Sequence, residues 1–297
     1  MSIYSAHNLN IHSSIEFPEL KKSKEKEDLT IKYGFFNYSS KDIQDKGVFR
    51  IASQYIITKE AVFLNWNDRD ICQISPREII VNPDTGIEDN FLRSLILGPA
   101  LGIYLHLQGR VVLHASTINM QGKGVGFVGH NGAGKSTTTS YFLKKGYSLV
   151  ADDVSSLEFI NNIPLVYPGI PRIKLWPETM DLWDEKLECF PIHTQSTKIS
   201  CAVDNFHDEP TPLKHIYVIE RGEETHIEDI TPQEGLIELI RNSYCANIFS
   251  DTYKKKSLAD YGKLVKKISL KRLYIQEGLD KLDNMVQAVE EDVGLND

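Results

Sequence analysis

Gly129-His130-Asn131-Gly132-Ala133-Gly134-Lys135-Ser136 decides how this chain is read. Its spacing, G-x-x-x-x-G-K-S, is that of a phosphate-cradling P-loop. Val125-Gly126-Phe127-Val128 before it reads as a strand and Thr137 to Lys145 after it as a helix. That strand–loop–helix context separates a nucleotide site from a glycine-rich turn. Gly129, Gly132 and Gly134 permit positive φ and close backbone approach, so successive N–H groups can converge on phosphate oxygens. The helix that begins here adds the positive end of its dipole. Lys135 offers a compact cation to the outer phosphates and Ser136 a hydroxyl to Mg²⁺. The expected nucleotide-binding run is therefore Gly129, His130, Asn131, Gly132, Ala133, Gly134, Lys135, Ser136 and Thr137.

Downstream, Gly146 closes the helix as an αL cap. Tyr147-Ser148-Leu149-Val150-Ala151 then reads as a strand ending in Asp152-Asp153, only 17 residues after Lys135. An apolar strand that ends in acid beside a P-loop is where a Mg²⁺-holding carboxylate is expected. Adjacent side chains on a strand point to opposite faces, so the two share the site only if the strand bends there. Upstream, Arg110 to Ile118 reads as one strand, joined by a turn at Gly122 to the P-loop strand. His114 is placed on that strand, and a histidine in a strand, taken by itself, reads as structural.

Residues 1 to about 95 hold short strand-like runs: Leu29–Phe36, Val48–Ile51, Tyr55–Thr58, Ala61–Trp66 and Arg77–Val81. Their spacing and Asn, Asp, Gly and Pro punctuation predict an antiparallel meander, with Lys21–Asp28 as a charged loop. From Asp89 to Gln108 the pattern turns helical and apolar on many sides, interrupted at Gly98-Pro99. Beyond the acidic pair, a helix is predicted over 178–186 and strands over Ser196–Val203 and Leu213–Glu220. Thr231-Pro232-Gln233-Glu234 has capping-box spacing and opens a helix to Arg241. A helix over Ser257–Lys267, a strand over Ser269–Ile275 and a helix over Leu279–Glu290 close the chain.

The fold class is α/β in the α+β sense, a P-loop core with a β-rich N-terminal lobe, divided as residues 1–98 and 99–297. The length of 297 residues suffices for a large core with an added lobe. A net charge of −8 argues against nucleic-acid and anionic-membrane partners, which need a basic face. The four cysteines, Cys72, Cys189, Cys201 and Cys245, form no C-x-x-C pair, so reduced thiols are expected rather than zinc or a disulfide framework. With no signal-like segment and no long apolar run, a cytoplasmic protein is expected.

By itself Gly129 to Ser136, continued by Thr137-Thr138, resembles the Walker A motif of transporter-type ATPases. Their Leu-Ser-Gly-Gly-Gln-like signature is missing, and the acidic strand follows after a single helix. The wider run from Leu113 to Glu158, comprising His114, the hairpin, the P-loop, one helix and Gly146 to Asp153, resembles the catalytic half of HPr kinase/phosphorylase. The remainder resembles HPr-kinase-like proteins encoded with lasso-peptide and related precursor-peptide pathways. Leu113-His114-Ala115-Ser116, Tyr167-Pro168, Leu175-Trp176-Pro177 and the Pro-led helix near the C-terminus carry that likeness. The N-terminal lobe does not resemble that of the regulator HPr kinase, and an Arg-Pro-Gly-Arg-type C-terminal signature is missing.

The resemblance implies ATP and Mg²⁺ as cofactors, Asp152 as general base on an acceptor hydroxyl, Asp153 and Ser136 as metal ligands, and Lys135 on the β/γ-phosphates. His114 matches the family's histidine near the acidic residues. A second cation is expected opposite Lys135; Lys198 is the first choice, with Arg172, Lys174 and Arg241 as alternatives. The expected activity is transfer of phosphate to a serine of a peptide or small protein, a lasso-type precursor peptide in the first instance. Two alternatives stay open: a kinase of a small hydroxylated metabolite, and a nucleotide-gated binding protein without transfer chemistry. Which of Asp152 and Asp153 is base and which holds metal also stays open, as does a homo-oligomer.

Overall fold

The computed structural model describes residues 1–36, 50–52, 55–58, 61–67, 69–84, 86–183, 187–193, 197–244 and 251–295. Val48, Phe49, Ser196, Cys245 and residues 184–186 of the helix predicted over 178–186 lie outside them. The chain is α+β.

The P-loop strand Lys123–Val128 lies inside a sheet with the order Ser148–Ala151, Ser116–Met120, Lys123–Val128, Thr211–Gly222, Ser269–Gln276, His226–Asp229. Ser116–Met120 and Lys123–Val128 form the predicted hairpin, whereas Thr211–Gly222 pairs in parallel with both the P-loop strand and Ser269–Gln276. Alternating side chains fill two cores, one on each face. Val125, Phe127, Tyr217 and Ile219 face the P-loop helix Lys135–Lys144 and the C-terminal helix Leu282–Val293. There Phe142 stacks on Phe127 with ring centroids 5.3 Å apart. Val128, Ile216 and Val218 turn to the opposite face, against Leu239, Tyr261 and Leu264 of the helices Pro232–Arg241 and Asp251–Val265. The capping box is formed: Thr231 Oγ1 accepts from the Glu234 amide, and the Glu234 carboxylate accepts from the Thr231 amide at 2.8 Å.

The strand expected over Arg110–Ile118 is two strands. Val111–Leu113 pairs with Ser155–Ile160, Ser116–Met120 pairs with the P-loop strand, and His114-Ala115 is the break between them. His114 is thus off the strand, freed to face a site rather than a sheet neighbour.

The N-terminal sheet runs in the order Lys21–Lys22, Ser2–Ala6, Leu9–Ser13, Leu29–Tyr33, Glu78–Val81, Arg69–Ile74, Val62–Trp66, Tyr55–Ile57, Arg50–Ala52. It is not a pure meander, because Leu29–Tyr33 pairs in parallel with Leu9–Ser13 and with Glu78–Val81. Lys21-Lys22, expected in a loop, extends the sheet edge beside Tyr4 and Ser5. Phe91 to Leu105 join this sheet's core, as do Val112 and Val154 from around the acidic pair. The helical segment comprises Asp89–Leu95, a wide π turn Ile96–Ala100 containing Pro99, and Leu101–Leu107. Proline lacks the N–H that an α turn would use, and the π turn absorbs that defect. Among the described residues no helix is long and apolar enough to cross a membrane.

One expectation fails outright. Cys189 and Cys201 are disulfide-bonded, facing each other in register across the strands Cys189–Pro191 and Ile199–Ala202. Sequence spacing does not reveal a bridge between strands that pair only in the folded chain. Cys72 is a buried free thiol. Iodoacetamide should therefore leave Cys189 and Cys201 unmodified in the folded, unreduced protein and label both after reduction and unfolding, as read by peptide mass. Phe142→Ala, which empties the stack beneath the P-loop helix, should cost about 3–5 kcal/mol in denaturant unfolding.

Candidate active site

The strand Ser148–Ala151 delivers the acidic pair, and the backbone then folds back at once. Asp153 has φ +68°, and the Val154 N–H donates to the Asp152 carbonyl at 2.8 Å. This γ-turn is a strained conformation of a kind that clusters at functional sites. It also supplies the bend that the strand pattern required, so both carboxylates face one place instead of opposite sides.

Each carboxylate is held differently. Ser116 donates to Asp152 Oδ1 at 2.5 Å, and the Lys174 backbone N–H donates to Asp152 Oδ2 at 2.9 Å. Lys174 Nζ donates to Asp153 Oδ2 at 2.8 Å, while His114 Nε2 lies 3.1 Å from Asp153 Oδ1. Burial and the neighbouring Asp153 charge push the Asp152 carboxyl above its ordinary value, only partly countered by Ser116 and Lys174. Burial opposes the Asp153 charge too, but Lys174 and His114 outweigh it and hold that carboxyl well below the usual range. Two adjacent acids are thereby driven apart, one toward accepting a proton and one toward permanent charge.

The P-loop faces them across a cleft of about 380 Å³. Its walls include His114, Ser116, Asn131, Gly132, Lys135 and Lys198. Gly134, Ser136, Thr137, Asp152, Asp153 and Lys174 line it as well. Gly134 caps the helix at φ +103°, a conformation an L side chain rarely adopts. Lys135 Nζ donates to the carbonyls of Gly129 at 2.7 Å and His130 at 3.3 Å. Burial lowers the Lys135 pKa, with the two aspartates pulling it up and Lys198 pushing it further down. Gly129 and Ala133 sit at the base of the loop rather than on the cleft wall. A Cβ at Gly129 would meet the Ile219 carbonyl at 3.0 Å and Ala133 Cβ at 3.1 Å. The His130 ring turns onto the Asn131 carbonyl at 2.8 Å.

The alternatives for the second cation separate in space. Lys174 is bound to the acidic pair, and Lys198 is on the cleft wall with its ammonium 5.0 Å from the centroid of Trp176. Arg172 is not on this wall; it bonds Ser200 and the Glu188 carbonyl and covers the Phe190 ring at 4.3 Å. Arg241 points outward, paired with Glu238.

Several residues of the site are not among the site candidates the sequence offers. Trp176, Glu178 and Thr179 join the cleft wall from one turn around Pro177–Leu182, and Arg221 from the end of the strand Thr211–Gly222. Asn242, the residue after the helix Pro232–Arg241, accepts from the Gly129 N–H at 3.0 Å through Oδ1 and from the His114 N–H at 2.8 Å through its carbonyl. Its own Nδ2 donates to the Glu238 carbonyl at 2.9 Å. One buried amide therefore ties the first P-loop residue and the site histidine to a helix end. Only its place just past a helix could have drawn attention to it.

The donor set suits a Mg²⁺-bound nucleoside triphosphate. Loop amides and Lys135 provide for the phosphates, the Ser136 hydroxyl and a permanently charged Asp153 provide hard oxygen ligands, and the cleft is wide enough for a polyphosphate.

Over 60 residues the chain is 37% identical to the HPr kinase/phosphorylase of Caldicellulosiruptor bescii, which covers 20% of this chain and 19% of that protein. The chain thus spans about a fifth of the length of the curated relative it matches. A solved structure of the Hpr(Ser) kinase/phosphatase from Coxiella burnetii aligns with a TM-score of 0.34 at 12% identity, over 63% of this chain and 99% of that one. No family model matches the chain.

Asn242→Ala leaves the buried Gly129 N–H without its acceptor, which should cost about 1–3 kcal/mol of stability and weaken Mg·ATP binding. Asn242→Asp, which keeps the acceptor, should recover part of both in thermal melts and nucleotide titrations.

Proposed function

We propose that this protein is an ATP-dependent kinase that phosphorylates a serine hydroxyl of a peptide or small protein. The observation that carries the proposal is the γ-turn that sets Asp152 and Asp153, with opposed proton affinities, against the P-loop cleft. The stretch of identity with an HPr kinase/phosphorylase supports a kinase-type enzyme.

Phosphoryl transfer needs alignment, neutralisation of charge and late removal of one proton. In this reading the cleft-facing loop residues from Asn131 to Thr137, with Lys135, would bind the phosphates, and Ser136 and Asp153 would hold Mg²⁺, which would neutralise phosphate charge. Asp152 takes the acceptor's proton while the acceptor oxygen gains the phosphoryl group and ADP leaves. Burial suits Asp152 to this role, because a raised carboxyl takes a proton more readily than an exposed one. Ser116 and the Lys174 amide fix its orientation. Lys174 and His114 keep Asp153 ionised, and Lys198 supplies the second cation from the cleft wall beside Trp176. Residues 99–297 form the kinase core, and residues 1–98 the lobe that backs the acidic pair. A lasso-type precursor peptide is the substrate to test first, on the likeness of Leu113-His114-Ala115-Ser116 and Leu175-Trp176-Pro177 to the kinases of those pathways. A cytoplasmic location belongs to this reading, and the Cys189–Cys201 bridge, rare in reducing compartments, is the observation that stands against it.

Asp152→Asn should lower kcat for serine phosphorylation by about 10²–10⁴, with Mg·ATP affinity retained; full transfer by this variant would refute the assignment. Asp152 must be ionised to accept the proton. In the wild type kcat/KM should therefore fall as pH drops through a carboxyl pKa above 3.8, the ordinary value, in a radiolabel assay across pH.

A further inference from the structure

A second cavity adjoins the acidic pair, at the junction of the two lobes. It measures about 50 Å³, room for a small side chain, and its walls include Glu19, Ser94, Leu97, Ile170, Arg172 and Ile192. Asp152, Asp153 and Lys174 line both this cavity and the P-loop cleft, whereas no residue from Gly129 to Thr137 lines this one. Asp152 therefore stands at the boundary between the two, within reach of a molecule held here and of the P-loop cleft.

Glu19 makes this more than an empty corner. The residue is 8% exposed, and its two carboxylate oxygens are treated unequally. Oε1 accepts from Arg93 Nε at 2.7 Å, and Arg93 is itself fixed by Asn90 Oδ1 at 2.6 Å. Oε2 is buried with no hydrogen-bond partner among the described residues. An unsatisfied oxygen on a buried carboxylate is costly, and its demand is for a donor. A carboxylate oxygen only accepts, so an N–H or ammonium group meets this demand and a phosphate, rich in acceptors, does not.

We propose that this cavity is the acceptor site and that Glu19 Oε2 receives a hydrogen bond from an N–H or ammonium group of the acceptor, beside the hydroxyl that meets Asp152. The inference rests on the kinase reading above. It makes Glu19, from the N-terminal lobe, a determinant of which hydroxyl is phosphorylated. Leu97, Ile170 and Ile192 keep water from the bond, and Arg93 holds the carboxylate in one orientation.

The test uses the full chain, Mg²⁺ and γ-³²P-labelled ATP, with a degenerate library of heptapeptides carrying a central serine as acceptor. For the best-labelled peptide, Glu19→Gln keeps the oxygen that faces Arg93 and replaces the acceptor Oε2 by a donor. It should raise the peptide KM about tenfold to a hundredfold, with kcat and the ATP KM within twofold of wild type. Methylating the peptide nitrogen that Glu19 receives should cost as much, and the two changes together no more than either alone. Ser94→Leu, which fills the cavity from the helical segment, should abolish peptide labelling while Mg·ATP still binds. An unchanged peptide KM in Glu19→Gln, labelling that survives Ser94→Leu, or a shift confined to the ATP KM would each overturn the acceptor site and leave the kinase reading standing. Wild-type protein that binds Mg·ATP and labels no peptide in the library would overturn both.

Discussion

The site depends on the neutralisation of Asp153 by Lys174. Two carboxylates on successive residues, both turned inward, repel each other, and a half-buried position amplifies the repulsion. Lys174 resolves it with two different groups: its ammonium takes Asp153, and its backbone N–H takes Asp152. His114 completes the coordination of Asp153 from the other side. Because the compensation is unequal, the pair does not share a single character. Asp153 is fixed as an anion, and Asp152 carries the burden of the low-dielectric surroundings and of its neighbour's charge. The proposed division of labour, Asp152 as base and Asp153 as metal ligand, rests on this asymmetry.

The same pair explains why the two lobes meet where they do. Val154, the residue after the γ-turn, packs into the core of the N-terminal sheet, and the π turn at Ile96–Ala100 brings Gly98 against the charges. A Cβ built on Gly98 would sit 3.5 Å from Lys174 Nζ and 3.7 Å from Asp153 Oδ2. The acidic turn is therefore gripped between a nucleotide cleft on one side and the apolar core of the first lobe on the other. Strain of the kind seen at Asp153 persists only where surrounding packing over-determines it, and here both lobes contribute.

What could be read from the sequence was local. The P-loop, its helix, the αL cap at Gly146 and the capping box at Thr231 are each fixed by residues within a few positions, so their chemistry is written contiguously. The acidic pair was visible for the same reason. Its geometry was not, because strand periodicity places Asp152 and Asp153 on opposite faces and a one-residue turn cancels that alternation. The break at His114-Ala115 is hidden because Arg110 to Ile118 has no Gly or Pro to mark it, although its halves pair with different strands. Lys174 was one of four candidate cations until folding put it beside Asp153. Asn242, Glu19 and the Cys189–Cys201 bridge act across gaps in sequence that no local pattern spans.

The hydrogen bond from the Gly129 amide to Asn242 crosses 113 residues. The strands flanking the P-loop on its parallel side, Thr211–Gly222 and Ser269–Gln276, arrive comparably late. During synthesis the P-loop hairpin and helix can form from adjacent residues, but their long-range partners do not yet exist, and such pairings are the slow part of folding. A ribosome must therefore emit most of the chain before the loop from Gly129 to Gly134 is locked at its base. Nascent chains shorter than this lack the Asn242 oxygen, and the Gly129 amide at the loop's base waits for its partner.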